Sequence, residues 1–445
     1  DRHRGRQAHR QAPLTVNLDE LSELLRIESI SSDGAHPAEM MEAAGWIARM
    51  VGDARVIEGF GNPLVDGLIP ASSADAPTVV AYGHYDVQSP GDDSLWDSPP
   101  FEPTVRDGWL YGRGVSDDKG NYWALLRAAL DLAESGDLGV NVRVIADGEE
   151  EIGGHSVIDY VETLDDEFAA AVIFDGSMAD AERPAITTAL RGLAGFQVRL
   201  VSNQRELHSG LFGGVAANPV HDLIALLAAV AGHDELFAAG VAPVTDAELD
   251  GWRTLPPGAE VLAGAGATPR DDGAADDFYQ RTWVGPSLTV HSIGSGDPLI
   301  HKTSIGAEAR ASISLRIAPG QDAVELGEKL AGLLRDACPP RATLELTPWP
   351  VGLPAFVSPD DPVISCGFDA LERATGTRPL ALRSGGSIPV MAALVARGTP
   401  TILSGFGSPD DNIHSPNERM RLRNLEWALS SAREIYVSLA GQLRR

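Results

Sequence analysis

The 445-residue chain holds only two cysteines, Cys338 and Cys366, and neither stands in a C-x-x-C pair. That excludes a disulfide framework, a dithiol redox motif and a cysteine-rich structural zinc site, and makes a reduced, cytoplasmic setting the expectation. Positive charge is also scarce: 35 Lys and Arg stand against 63 Asp and Glu, a formal net charge of -28 at pH 7. Nucleic acid and anionic membranes need clustered basic surface, so neither is expected as a partner. Only three lysines occur, Lys119, Lys302 and Lys329; the arginine bias is read as genomic composition or salt tolerance rather than mechanism. No run is long and apolar enough to span a bilayer, and the basic start at residues 1–13 lacks the apolar stretch of a signal peptide. What remains, 43% hydrophobic and 22% charged residues over a length too great for one core, describes a globular protein of two domains.

Strand and helix signals alternate through the first part of the chain. "TVVAYGHYDV", "NVRVIADG" and "AAVIFDG" read as strands and "NYWALLRAALDLAES" as an amphipathic helix. This is α/β patterning. From about Gly192 the texture changes to "GFQVRLV", the helix "NPVHDLIALLAAVAG", a Gly/Ala/Asp/Pro-rich stretch, "ARASISLRIA" and the helix "DAVELGEKLAGLLRDA". Two alternating strands, each followed by a helix, predict a small α+β module, with 260–276 as a lid loop. After Pro354 the α/β texture returns in "DPVISCGFDALERATG", "MAALVARG", "TPTILSGFG" and a closing helix. The expected organisation is a discontinuous α/β domain, residues 1–189 and 355–445, interrupted by an α+β domain at 190–354.

The chemistry-bearing residues gather where strands end. His84 and Asp86 sit two apart at the end of "TVVAYGHYDV", a spacing that puts both side chains on one face, towards the crevice where open α/β sheets hold ligands. "YGRGVSDDKGN" brackets Asp117 and Asp118 with glycines ahead of a helix; "VIADGEEEIGG" ends a strand in Glu149, Glu150 and Glu151; "AVIFDGS" ends one in Asp175; and "ILSGFGSPDDNIHSPNE" places His414 just past a strand. Taken singly, each has a bland reading: "GEEE" as a solvated face, "SDDKG" as a helix cap, His84 and Asp86 as an ordinary polar strand end. Jointly they deliver imidazole and carboxylate from five chain segments, and none of these motifs holds a nucleophilic Ser or Cys with a partnering base. Metal is the economical explanation, because divalent ions take N and O donors and a close pair of ions needs a bridging carboxylate. Two histidines and three carboxylates would serve two ions.

At these motifs the sequence resembles the two-metal peptidase family that includes cytosolic dipeptidases (carnosinases), carboxypeptidase G and succinyl-diaminopimelate desuccinylase. The resemblance rests on "GHYDV", "GRGVSDDKG", "GEEEIGG", "VIFDG", "ALRGL", "ELHSG", "PSLTVHSI", "SISLRIAPGQ", "SGGSIPV" and "NIHSPNE". It implies a zinc-exopeptidase type catalytic domain, a mixed central sheet flanked by helices, with an inserted lid and dimerisation domain. It further implies that Asp117 bridges two ions, zinc foremost with manganese or cobalt as alternatives. His84 and Asp175 would complete one ion's shell, Glu151 and His414 the other's. Glu150 would be the general base, preferred over Glu149 because the family pattern reads Glu-Glu-x-Gly. Asp86 would orient the His84 imidazole, and a cis peptide is implied between Asp117 and Asp118.

In the inserted domain, His208 alone would more often be a structural histidine; the resemblance implies that it reaches the partner subunit's active site and stabilises the tetrahedral intermediate, which calls for a homodimer. Arg316 reads by itself as an exposed sheet residue, and by resemblance as a clamp on the substrate carboxylate. Gly386 and Ser387 stand either at a plain helix start or in a carboxylate cradle. Three positions depart from the dipeptidase pattern: Ser384 replaces an acidic residue, Gly306 a proline, and "PWPVGLPAF" lacks a histidine. Asp175 and "PSLTVHSI" lean towards the dipeptidase branch. The leading expectation is therefore hydrolysis of small peptides with a free C-terminal carboxylate. The alternatives are an N-acyl or N-carbamoyl amino-acid amidohydrolase and, from another class, a catalytically silent metal- or peptide-binding protein.

Overall fold

The computed structural model describes residues 16–32, 34–296, 299 and 302–444; the basic start at 1–13 lies outside them. The described residues form two compact units, those within 1–186, 360–379 and 399–445 in the first and those within 187–359 and 380–398 in the second.

In the first unit the runs of Val, Ile and Ala become the strands of a mixed sheet. Ala54–Ile57 pairs antiparallel with Leu64–Ile69, which pairs antiparallel with Asn141–Asp147. Parallel pairing then runs from Asn141–Asp147 to Thr78–His84, on to Ala170–Ile173 and on to Thr401–Leu403. The central strands are buried nearly throughout their length, which is why they read as continuous apolar runs rather than alternating ones. Helices Pro37–Val51, Lys119–Glu134, Pro362–Thr375 and Leu422–Gln442 pack around this sheet and on one another. Gly83 shows how close the packing is: a Cβ there would lie 2.3 Å from the Tyr122 ring, so only glycine lets helix Lys119–Glu134 approach the strand beside His84. A three-stranded meander, Thr104–Arg106, Trp109–Tyr111 and Arg419–Arg421, stacks arginine on aromatic faces, with the Arg419 and Arg421 guanidiniums 4.3 and 4.4 Å from the Trp109 ring.

The second unit is an antiparallel four-stranded sheet in the order Ser287–Gly294, Glu308–Ile317, Gly192–Val201 and Thr343–Pro348. Its core face carries Ala309, Ala311, Ile313, Leu315 and Ile317 against Leu223, Leu226, Leu330 and Leu334 from helices Pro219–Ala228 and Ala323–Ala337. The two inner strands and both helices are those read from the sequence. The two outer strands are additions, because edge strands with one exposed face carry a weaker apolar signal.

Two further differences are instructive. Residues 260–276, read as a lid loop, begin in the helix Gly258–Gly264, and helix Asp246–Trp252 precedes it. Segment 380–398, expected with the α/β domain, groups with the second unit. A buried ion pair accounts for that grouping: Arg383 Nε and Nη2 donate to Glu248 Oε1 and Oε2 at 2.8 and 3.1 Å, both side chains being essentially inaccessible. Trp252 Nε1 donates to the Ala381 carbonyl at 2.9 Å on the same strand. Removing either charge would leave the other buried and uncompensated, a penalty of roughly 3–5 kcal/mol that no α/β alternation in the sequence reveals.

Candidate metal centre

The first unit brings five of the expected donors into two groups. His84, Asp117 and Asp175 form one and Asp117, Glu151 and His414 the other, the ligand atoms of each lying within 4.8 Å of one another. Asp117 belongs to both because its two oxygens face opposite ways. Oδ1 lies 3.0 Å from His84 Nε2, and Oδ2 lies 2.9 Å from His414 Nε2. His84 Nε2 is also 3.9 Å from Asp175 Oδ1, and His414 Nε2 is 3.0 Å from Glu151 Oε2.

Local structure explains how each side chain arrives. His84 is the last residue of its strand, and Asp175 lies two residues beyond the end of the parallel strand Ala170–Ile173. Asp117 precedes helix Lys119–Glu134, and the Asp117–Asp118 peptide is cis. Glu150 and Glu151 open a single 3-10 turn after strand Asn141–Asp147. His414 sits in a loop with φ of +61°, in the left-handed region that is costly for a residue with a Cβ.

Asp86 is wholly buried beside His84. Its backbone carbonyl lies 3.0 Å from His84 Nδ1 and its Oδ1 3.4 Å away, while its Oδ2 accepts from the Glu151 amide at 3.1 Å. One aspartate thus holds the imidazole's distal nitrogen and the backbone of another donor, leaving Nε2 turned to Asp117. Gln88 Nε2 donates to Glu151 Oε2 at 3.1 Å. Glu149 is engaged elsewhere, its Oε1 accepting from the Asn62 amide at 2.9 Å. Glu150 belongs to neither donor group, and its side chain has no hydrogen-bond or ion-pair partner among the described residues. Burial pushes its pKa up to about 7, and although His84 opposes this, the nearby carboxylates of Asp117, Glu151 and Asp86 add to it.

The charge balance provides the test of whether two cations belong here. Asp175 is raised well above the usual carboxylate range by burial and by Glu150, Asp117 and Glu151. His414 is raised to about 10 by its hydrogen bonds to Asp117 and Glu151. Burial opposes charge on His84, yet the carboxylates of Asp117, Asp86 and Asp175 still raise it well above an ordinary histidine. Two imidazoles thus face the five carboxyl groups of Asp86, Asp117, Glu150, Glu151 and Asp175. The donors, imidazole nitrogen and carboxylate oxygen with one aspartate shared, fit a pair of borderline divalent ions.

The remaining expected residues all lie in the second unit. His208 ends the two-residue strand Leu207–His208; it is exposed, and its Nδ1 accepts from the Gly210 amide at 3.0 Å. Arg316 is half-buried on strand Glu308–Ile317 and has no hydrogen-bond or ion-pair partner among the described residues. Arg191, from the "ALRGL" motif, is buried and among the described residues donates to neutral groups, the carbonyls of Gly385, Arg281 and Gly285 and the Ser287 hydroxyl. Desolvation and the nearby Arg316 lower its pKa to about 10. Gly386 and Ser387 lie between strand Leu380–Ser384 and helix Pro389–Ala396, whose N-cap Ile388 supplies no side-chain cap.

A mixed α/β fold with two carboxylate-and-imidazole groups sharing one aspartate is the kind of arrangement found in metal-dependent hydrolases. Residues 80–440 match the model of peptidase family M20/M25/M40, and the chain belongs to that family. It is 30% identical over 434 residues to a cysteinylglycine-S-conjugate dipeptidase of Corynebacterium striatum, covering 94% of each chain. It is 30% identical over 373 residues to the human Beta-Ala-His dipeptidase, covering 78% of this chain and 72% of that one. Among solved structures it is similar to an M20 family metallo-carboxypeptidase, Sso-CP2 of Sulfolobus solfataricus, with a TM-score of 0.80, 25% identity and coverage of 96% of this chain and 99% of that one.

Proposed function

We propose that this protein hydrolyses the amide bond of dipeptides and short peptides bearing a free C-terminal carboxylate, in the reduced cytoplasm, using two divalent ions, zinc foremost. The observation that carries the reading is the opposed pair of Asp117 oxygens, one 3.0 Å from His84 and the other 2.9 Å from His414. His84, Asp117 and Asp175 would hold one ion and Asp117, Glu151 and His414 the other. When bound, such ions polarise the scissile carbonyl and bring the pKa of water towards neutrality. Glu150 takes the proton from the attacking water and returns it to the leaving amine, a role suited to a buried carboxylate outside both donor groups. Asp86 keeps the His84 ring in the tautomer that presents Nε2. Arg316, without an acidic partner among the described residues, receives the substrate carboxylate, aided by Gly386 and Ser387.

The dipeptidase relatives support a peptide substrate over an N-acyl or N-carbamoyl amino acid. A panel of dipeptides set against N-acetyl and N-carbamoyl amino acids, assayed before and after chelation, checks this. Dipeptide turnover is expected to fall by at least about 10³-fold on metal removal and to return with Zn²⁺ or Mn²⁺. Turnover of acyl amino acids alone would replace the proposal with its amidohydrolase rival, and turnover indifferent to chelation would reject both.

The second unit is proposed as the dimerisation domain, with His208 acting in the partner subunit's site. Its exposure, with a local bond to Gly210 as its ring's one hydrogen bond among the described residues, leaves the ring available for that purpose. His208→Ala is expected to lower kcat about 10²-fold at unchanged metal content, the usual scale for losing one donor to a tetrahedral intermediate. Mixing that variant with Glu150→Gln protein should restore part of the activity, because a heterodimer contains one site with both groups intact. No recovery in a mixture verified to exchange subunits would place His208 in its own chain's site.

A further inference from the structure

Glu418 is the last residue of "NIHSPNE" and belongs to neither donor group. In the folded chain it is completely buried and accepts four hydrogen bonds. Its Oε2 takes Arg113 Nη1 at 2.6 Å and the Gly114 amide at 2.9 Å, and its Oε1 takes the Ser116 and Asp117 amides at 3.0 and 3.2 Å. All four donors lie on one five-residue run that ends at the shared aspartate. Gly114, with φ of +84°, makes the reversal that turns those amides inwards.

A second acid grips the same run. Asp411, also inaccessible, accepts from Ser116 Oγ at 2.7 Å and from the Ser408 amide at 2.8 Å. Between Asp411 and Glu418 lies the loop that carries His414, in which Asn412, His414 and Asn417 all have φ near +60°. Each such residue costs about 1 kcal/mol or more and persists only where its surroundings over-determine it. Both ends of this loop are tied to the Arg113–Asp117 run, and Arg113 Nη2 also approaches the Ser415 carbonyl at 3.4 Å. His84, by contrast, is placed by the central sheet and by Asp86.

We infer that Glu418 is a positioning residue for the metal centre: it locks the turn bearing Asp117 to the loop bearing His414 and so sets the affinity for a divalent cation at Asp117, Glu151 and His414. The inference rests on the two-ion reading proposed above. Losing Glu418 should therefore weaken the ion held with His414 far more than the ion held with His84 and Asp175.

The test is a titration of chelator-stripped protein with Co²⁺, followed by calorimetry and by visible absorption, on the unmodified chain and on Glu418→Gln. Glutamine keeps the shape but turns an NH2 group towards amide donors, so part of the clamp is lost. The variant is expected to bind one Co²⁺ within about threefold of normal and the second about 10- to 100-fold more weakly. Affinities both unchanged, or both reduced alike, would overturn the inference. Should the glutamine variant fail to fold, Glu418→Asp keeps the charge on a shorter arm; selective weakening of the second ion is expected there too, and unchanged binding overturns the inference. Fewer than two ions in the unmodified chain would sink the two-ion reading and this inference with it, whereas two ions there and normal binding in the variants would sink this inference alone.

Discussion

Glu150→Gln is expected to lower kcat by about 10³-fold, roughly 4 kcal/mol of barrier, with KM within a few-fold of normal and both ions retained. The physical reason is that glutamine fills the same space but cannot accept the proton of the attacking water. Glu150 lies outside both donor groups and has no partner to lose among the described residues, so neither folding nor metal binding should depend on its charge. Steady-state kinetics with metal analysis on the same preparation separates the possibilities. Metal loss in this variant would mean that base and ligand are exchanged between Glu150 and its neighbour Glu151.

The second large effect belongs to Asp117. An asparagine there has one oxygen in place of two and an NH2 group facing one of the two imidazoles, which lie 3.0 and 2.9 Å from the native oxygens. Asp117→Asn is expected to abolish measurable turnover and to leave the dialysed protein with fewer than two ions per chain, in contrast to Glu150→Gln. In the native side chain, burial opposes ionisation, yet the hydrogen bonds from His414 and His84 outweigh it and hold the carboxyl below the usual range. The substitution therefore removes an anion on which both histidines rely. Two tightly bound ions surviving in Asp117→Asn would show that this carboxylate does not bridge.

Much of the first unit could be read directly from the chain because parallel strands buried on both faces are continuous apolar runs. The acids and histidines that end those runs stand out against them. His84, Glu150, Glu151 and Asp175 were conspicuous for this reason, each at or just past the end of a strand. Edge strands Ser287–Gly294 and Thr343–Pro348 were not, since half of each faces outwards. Helix Gly258–Gly264 hid in a Gly- and Ala-rich stretch with little periodicity. Glu418 looked like an ordinary polar residue after a proline and an asparagine, and nothing local announces that its partners lie about 300 residues earlier.

Local order along the chain was enough to single out the acids and histidines that meet in the two donor groups and the apolar runs that build the sheet, since period, length and strand ends are short-range properties. Tertiary structure alone decided which acids face each other. It turned the Asp117 oxygens towards different histidines, occupied Glu149 with Asn62, buried Glu418 under the Gly114–Asp117 turn, and carried residues 380–398 into the second unit through Arg383 and Glu248. Those outcomes depend on pairing buried charge with a distant partner, and such pairing leaves no periodic trace in the order of residues.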